Sequence, residues 1–182
     1  MNLTSTSVLE LLELYADVAD ELRRRKICRT ANNPAGDYAE SLVSAALGLT
    51  LTANSHRGYD ALDRIGKRFE IKGRRLSTKN ERPQLSVIRD MPAAPFDYLV
   101  GVVFDRRYRI SYAAQVPHAV AIRYASFSTR QKGHVVDFRR AILSESGVID
   151  RTEELRTIQA TADSYNYQEM TSAASTSGRG AR

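Results

Sequence analysis

Residues 58–75, "GYDALDRIGKRFEIKGRR", bring two acids and a lysine, Asp60, Glu70 and Lys72, close together in the chain. Carboxylates are hard oxygen ligands suited to Mg²⁺ or Mn²⁺. Without a cation, two neighbouring carboxylates repel, and one takes up a proton. An ammonium beside them can neutralise developing charge or position an attacking water against a phosphate. Glu70 and Lys72 alternate with the apolar Phe69 and Ile71. In a strand, residues two apart share a face. Phe69 and Ile71 are therefore expected in the core, with Glu70, Lys72 and Arg74 on the opposite face. If "GYDAL" pairs antiparallel with this strand through the turn "RIG", Asp60 lands on the face of Glu70.

The elements needed to position these residues are legible around them. Ser7 and Glu10 form an S-x-x-E capping box. Val8, Leu11, Leu12, Tyr15, Val18, Ala19 and Leu22 follow at helical spacing, and Arg23 to Lys26 close a helix over 7–26. Leu9 and Leu14 lie off that stripe and leave a second apolar face for a partner, a homodimer among them. "NNPAG" opens a second helix, expected from Asp37 to Leu47 with Glu40 in its first turn and Gly48 as its stop. "LTLTAN", "GYDAL" and "KRFEIKGRR" read as three strands. "QLSVIRDM" is expected as a helix, because a parallel crossover to the next strand needs one. "DYLVGVVF" is a continuous apolar run, the pattern of a central strand buried on both faces, and "RISYAAQV" alternates as its neighbour. Further on, "PHAVAIRYA" suggests a helix, "KGHVVDF" a strand and "DRTEELRTIQAT" a short helix. Residues 164–182 are polar and rich in Ser, Thr and Gly, the composition of a flexible tail.

With its order of helix, strands and acids, "D60-(x)9-E70-I71-K72" resembles the D…(D/E)-x-K signature of the PD-(D/E)XK, or restriction-endonuclease-like, nuclease superfamily. "GDYAE" at 36–40 resembles the acidic position that many members carry on the preceding helix. The resemblance spans roughly residues 33–116. Tyr59, not proline, precedes Asp60, a departure found among members. The resemblance implies an α/β fold with a mixed central sheet flanked by helices. Here a helix would be added at the N-terminus and a basic, α-rich extension over 117–163, all in one domain of residues 1–163. It also implies roles. Asp60 and Glu70 would be metal ligands with the Ile71 carbonyl as a third, and Lys72 would orient or activate the hydrolytic water. Glu40 would act through a coordinated water or a second ion, and Arg74 and Arg75 would hold the phosphate backbone. Asp63, Gln84 and Ser86 are weaker candidates for the same cleft. Gly58 and Gly73, which flank the acids and the lysine, would allow close approach of a bulky ligand.

Composition agrees with this direction. The chain has 182 residues and a net charge of +6, a balance that suits a polyanionic partner. The stretch 123–140 mixes Arg123, Arg130, Lys132, Arg139 and Arg140 with Tyr124, Phe127 and Phe138. Such a mixture can grip a phosphate backbone. Arg139 and Arg140 are the nucleic-acid contacts expected there. His56, His118 and His134 lack zinc spacing among themselves or with Cys28, the single cysteine. Nucleophile-elbow, Walker and dinucleotide motifs are absent from the sequence. A chain without a signal-like or membrane-spanning stretch and with one cysteine is expected in the cytoplasm. The sequence thus predicts an Mg²⁺- or Mn²⁺-dependent nuclease acting on DNA, with RNA open as a substrate. The alternatives are a non-catalytic nucleic-acid-binding or assembly module on the same fold, and an interaction protein working through the first helix.

Overall fold

The computed structural model of the chain describes residues 3–53 and 57–162; His56 and the expected tail lie outside the described residues. Helix α1 (Val8–Arg24) begins at the expected capping box. The Ser7 hydroxyl accepts the Glu10 N–H, and the Glu10 carboxylate accepts the Ser7 N–H at 2.8 Å. The helix has no buried residue. Leu9 and Leu14, off the main stripe, were expected to leave an apolar face for a partner. Instead Leu14 is half-buried while Val8, Leu12 and Tyr15 of the stripe stay exposed along with Leu9. Helix α2 (Ala35–Leu47) starts earlier than expected, behind Pro34, so Glu40 sits in its second turn. It ends at Gly48, whose φ of +61° is the left-handed geometry that glycine takes without strain.

The strands β1 (Thr50–Leu51) and β2 (Ala61–Leu62) are short, and β2 pairs antiparallel with β3 (Arg68–Arg75) as predicted. Asp63 fixes the turn between them: its carboxylate accepts the N–H groups of Ile65 and Lys67 at 2.9 and 2.8 Å. It serves as a turn acid. Strand β4 (Tyr98–Phe104) runs parallel to β3, and β5 (Ile110–Pro117) returns antiparallel to β4. The chain then makes the short helix α3 (His118–Ala121), a hairpin of β6 (Ala125–Ser128) and β7 (Gly133–Val136), the strand β8 (Ile149–Asp150) and helix α4 (Thr152–Ala162). The six-stranded sheet has the order β1-β2-β3-β4-β5-β8. The last third of the chain is therefore not the α-rich appendage expected from residue 117 on. It supplies an edge strand of the main sheet, a separate hairpin and a helix that packs into the core through Leu155.

Apolar clusters cover both faces of the sheet. On one, Leu42 and Val43 of α2 and Leu155 of α4 meet Ile71, Val100 and Val102. On the other, Leu99 and Val103 meet Leu85, Ile88, Met91, Val136 and Phe138. β4 contributes to both clusters, as its continuous apolar run requires. Residues 84–90 of "QLSVIRDM" are not helical, and Met91 opens only a short 3-10 turn, Met91–Ala93. Leu85 donates to the Val136 carbonyl at 3.0 Å, and Ile88 and His134 exchange backbone hydrogen bonds at 2.7 and 2.8 Å. Leu85, Ile88 and Met91 have a spacing that a helix and an irregular buried segment can both satisfy. The hairpin edge decides, by offering backbone partners that a helix would have to find within itself. Among the described residues, no helix is long and apolar enough to cross a membrane.

Candidate active site

Strand β2 stays with β3 only as far as Asp60, whose N–H donates to the Phe69 carbonyl at 2.8 Å. Beyond that point β3 continues to Arg75 with β4 along its other edge. The Asp60 side chain fills the start of the gap: Oδ2 accepts the Ile71 N–H at 2.7 Å, a bond that a longer β2 would have made. A fork between two strands thus places an acid from one beside alternate side chains of the other.

Phe69 and Ile71 enter the core cluster under α2, as their parity predicts. Glu70 and Lys72 take the other face, in register with Leu99 and Gly101. The Lys72 ammonium lies 2.5 Å from Glu70 Oε1 and 3.3 Å from Asp60 Oδ2, and donates to the Ile71 carbonyl at 3.3 Å. The three oxygens expected as metal ligands therefore converge on a single positive charge. Their side chains are largely screened from water: 25% of Asp60, 10% of Glu70 and 17% of Lys72 remain exposed. Burial pushes the Glu70 carboxyl above its ordinary value; Lys72 opposes the shift and Asp60 adds to it. Burial alone would lower the Lys72 pKa, but Glu70 and Asp60 outweigh it, so the ammonium is held above its ordinary value.

Glu40 reaches the same neighbourhood from α2. Burial pushes its carboxyl up, an ion pair with Arg29 opposes this, and the Asp60 charge adds to it. Arg29 had no signal in the sequence beyond a place just after a basic run. Its guanidinium also donates to the Thr52 carbonyl at 2.9 Å, and its N–H donates to Asp37 Oδ2 at 2.8 Å. Asp37 Oδ2 accepts from the Thr30 N–H and hydroxyl as well, at 2.8 and 2.9 Å. The linker after α1, the start of α2 and the end of β1 are tied together at Glu40. Gly73 brings α2 close. A Cβ there would lie 2.0 Å from the Ala35 carbonyl oxygen and 2.9 Å from the Ala39 Cβ. The space expected for a ligand at Gly73 is thus taken by a helix, and the close approach sets how far Glu40 stands from β3. Gly58, at φ +100°, packs against Pro95 instead.

The basic candidates separate. Arg74 lies on the face of Lys72, half-buried, with Nε buried and without a hydrogen-bond partner. Arg75 points the other way; its Nε donates to the Arg106 carbonyl at 3.0 Å and its guanidinium lies 4.8 Å over the Tyr108 ring. Adjacent in the strand, the two arginines leave it on opposite faces of the sheet. Arg139 pairs with Asp137, and Arg140 lies 5.0 Å over the Tyr112 ring and donates to the Ser111 carbonyl at 3.1 Å. Arg139 also lines an open groove of about 800 Å³ with Lys79, Arg82 and the acids Glu81 and Asp137. Gln84 and Ser86 are exposed on the crossover, where Gln84 is bridged to Asp137. His118 Nε2 lies 2.7 Å from the Met91 carbonyl oxygen, and His134 stands edge-on to Phe127. Cys28 is buried, and burial pushes its thiol up.

Among the described residues, no three Asp, Glu, His or Cys side chains are grouped to hold a metal by themselves. An ion at the fork would rest on two carboxylates and the Ile71 carbonyl. That donor set is hard and oxygen-only, and it already surrounds one cation, so it fits Mg²⁺ or Mn²⁺. No protein-family model matches the chain, and no curated protein matches it.

Proposed function

We propose that the chain is a divalent-metal-dependent phosphodiesterase on a restriction-endonuclease-like variant of the α/β fold, and that it hydrolyses DNA. One observation carries this reading: Asp60, Glu70 and the Ile71 carbonyl surround the Lys72 ammonium at 2.5–3.3 Å, at an open strand edge with Glu40 beside it. The net charge of +6 supports a polyanionic substrate. Asp60, Glu70 and the Ile71 carbonyl would hold Mg²⁺ or Mn²⁺, which neutralises phosphate charge when bound. Lys72, displaced from the carboxylates but still protonated, would hold a water by hydrogen bonding and aim it at phosphorus. Arg74, half-buried on the same face as Lys72, would orient a phosphate oxygen through its guanidinium. Arg29 would fix the position of Glu40.

The test is incubation with supercoiled, linear and single-stranded DNA, with Mg²⁺, with Mn²⁺ and with chelator, alongside a single-stranded RNA. Cleavage that requires the divalent ion and is lost in Lys72→Ala is the expected result. DNA binding without cleavage under every condition would reject catalysis and favour the non-catalytic module.

A further inference from the structure

Helix α1 is an amphipathic helix of 17 residues with no buried residue, and no other described element packs extensively on it. Val8, Leu12 and Tyr15 are 75%, 59% and 71% exposed. With the half-buried Ala19 and Leu22 they recur in alternating steps of four and three residues. That is the a/d seam of a helix that packs lengthwise on another helix. Leu9, Leu11, Ala16 and Val18 widen the seam on its flanks, whereas Glu10, Glu13, Asp17 and Asp20 occupy the far side. A contiguous apolar surface with a polar back marks a site of association.

We propose that α1 pairs antiparallel with α1 of a second copy of this chain. The charge order of the helix selects this occupant and this direction. Acids fill the body of α1, and Arg23, Arg24, Arg25 and Lys26 close it. A parallel pair would set two such basic ends side by side. An antiparallel pair separates them by about 25 Å, at 1.5 Å of rise per residue. It also opposes the two helix dipoles. Packing agrees with the same register. Tyr15 lies opposite Ala19 of the second copy and Leu12 opposite Leu22, so the largest seam residue meets the smallest. One surface serves both copies, giving a closed two-fold dimer.

The test is the mass in solution of the full chain over a concentration series, by light scattering and sedimentation. A concentration-dependent rise to twice the monomer mass is expected. The Leu12→Glu, Tyr15→Glu variant should stay monomeric and folded, with a melting temperature that does not rise with protein concentration as the parent's does. Direction is read by cysteine cross-linking in a Cys28→Ser background. Tyr15→Cys should cross-link to Ala19→Cys in a mixture of the two variants and not to itself. A monomeric parent chain overturns the proposal, whether the seam is bare or covered by the chain's own residues 163–182. A dimer that survives the double glutamate substitution, or a Tyr15→Cys chain that cross-links to itself, overturns it equally.

Discussion

Lys72 is the counter-charge for two carboxylates that would otherwise face only each other. In Lys72→Ala, Glu70 is left almost buried beside Asp60. Removing one partner of a buried ion pair costs about 3–5 kcal/mol, and the partial exposure of Asp60 places this site toward the lower end. The variant is expected to lose cleavage and to melt lower at pH 7. It should recover more stability from added Mn²⁺ than the parent does, since the ion replaces the missing ammonium; thermal melting with and without Mn²⁺ measures this. No Mn²⁺ response in either protein would argue against a cation site at the fork. A pH dependence follows from the same burial. Glu70 and Glu40 both have raised values in the folded chain, relative to an ordinary 4.5. Their contribution to stability is complete below pH 4.5 and is lost as pH rises through the raised values. In metal-free buffer, Glu70→Gln should flatten the decline in stability as pH rises above 4.5, and it should abolish stabilisation by Mn²⁺. Unfolding by urea at several pH values gives the slope. The spacing of Asp60, Glu70, Ile71 and Lys72 was legible because strand parity and a hairpin are local rules. Arg29 was not, because it meets Glu40 only after α2 has docked on β3.

At the scale of elements, α2 sits as close to β3 as Gly73 allows. Gly73→Ala would drive a methyl into the Ala35 carbonyl. Overpacking of this kind costs typically about 1–3 kcal/mol, and backbone on the opposing side gives way poorly. The variant should melt lower and lose activity in proportion to the displacement of Glu40. Gly36→Ala is the matched control. It lies in the first turn of α2 with nothing within 4 Å of the added methyl, and it should raise stability by up to about 1 kcal/mol. Equal melting temperatures for the two variants would mean that the close approach carries no strain. The strands β3 and β4 and the cap of α1 were written in periodicity and capping chemistry. The crossover 84–91 was not, because its apolar spacing admits two structures and the hairpin that chooses between them lies some fifty residues further along the chain.

For the molecule as a whole, attraction to DNA is expected to be mainly electrostatic. The logarithm of the binding constant should fall linearly with the logarithm of salt concentration, by roughly 0.9 for each phosphate neutralised. Measured in Ca²⁺, the slope should flatten in Arg74→Glu and change little in Arg75→Glu, whose guanidinium is already engaged by Arg106 and Tyr108. The opposite ranking would place the phosphate track on the α2 face of the sheet. An α/β chain with a basic surface could be read from composition and order. That β8 would return to the sheet edge could not, because a two-residue strand carries almost no periodic signal.

The backbone bonds that join the crossover to the β6–β7 hairpin have a kinetic consequence. Neither segment closes its hydrogen bonds alone: Leu85 donates to Val136, Ile88 and His134 exchange bonds, and Phe138 donates to Pro83. Opening one therefore exposes the amides of the other. In native-state hydrogen–deuterium exchange, the amides of Leu85, Ile88, His134 and Phe138 should exchange with a common free energy, as one cooperative unit separate from the β3–β4–β5 ladder.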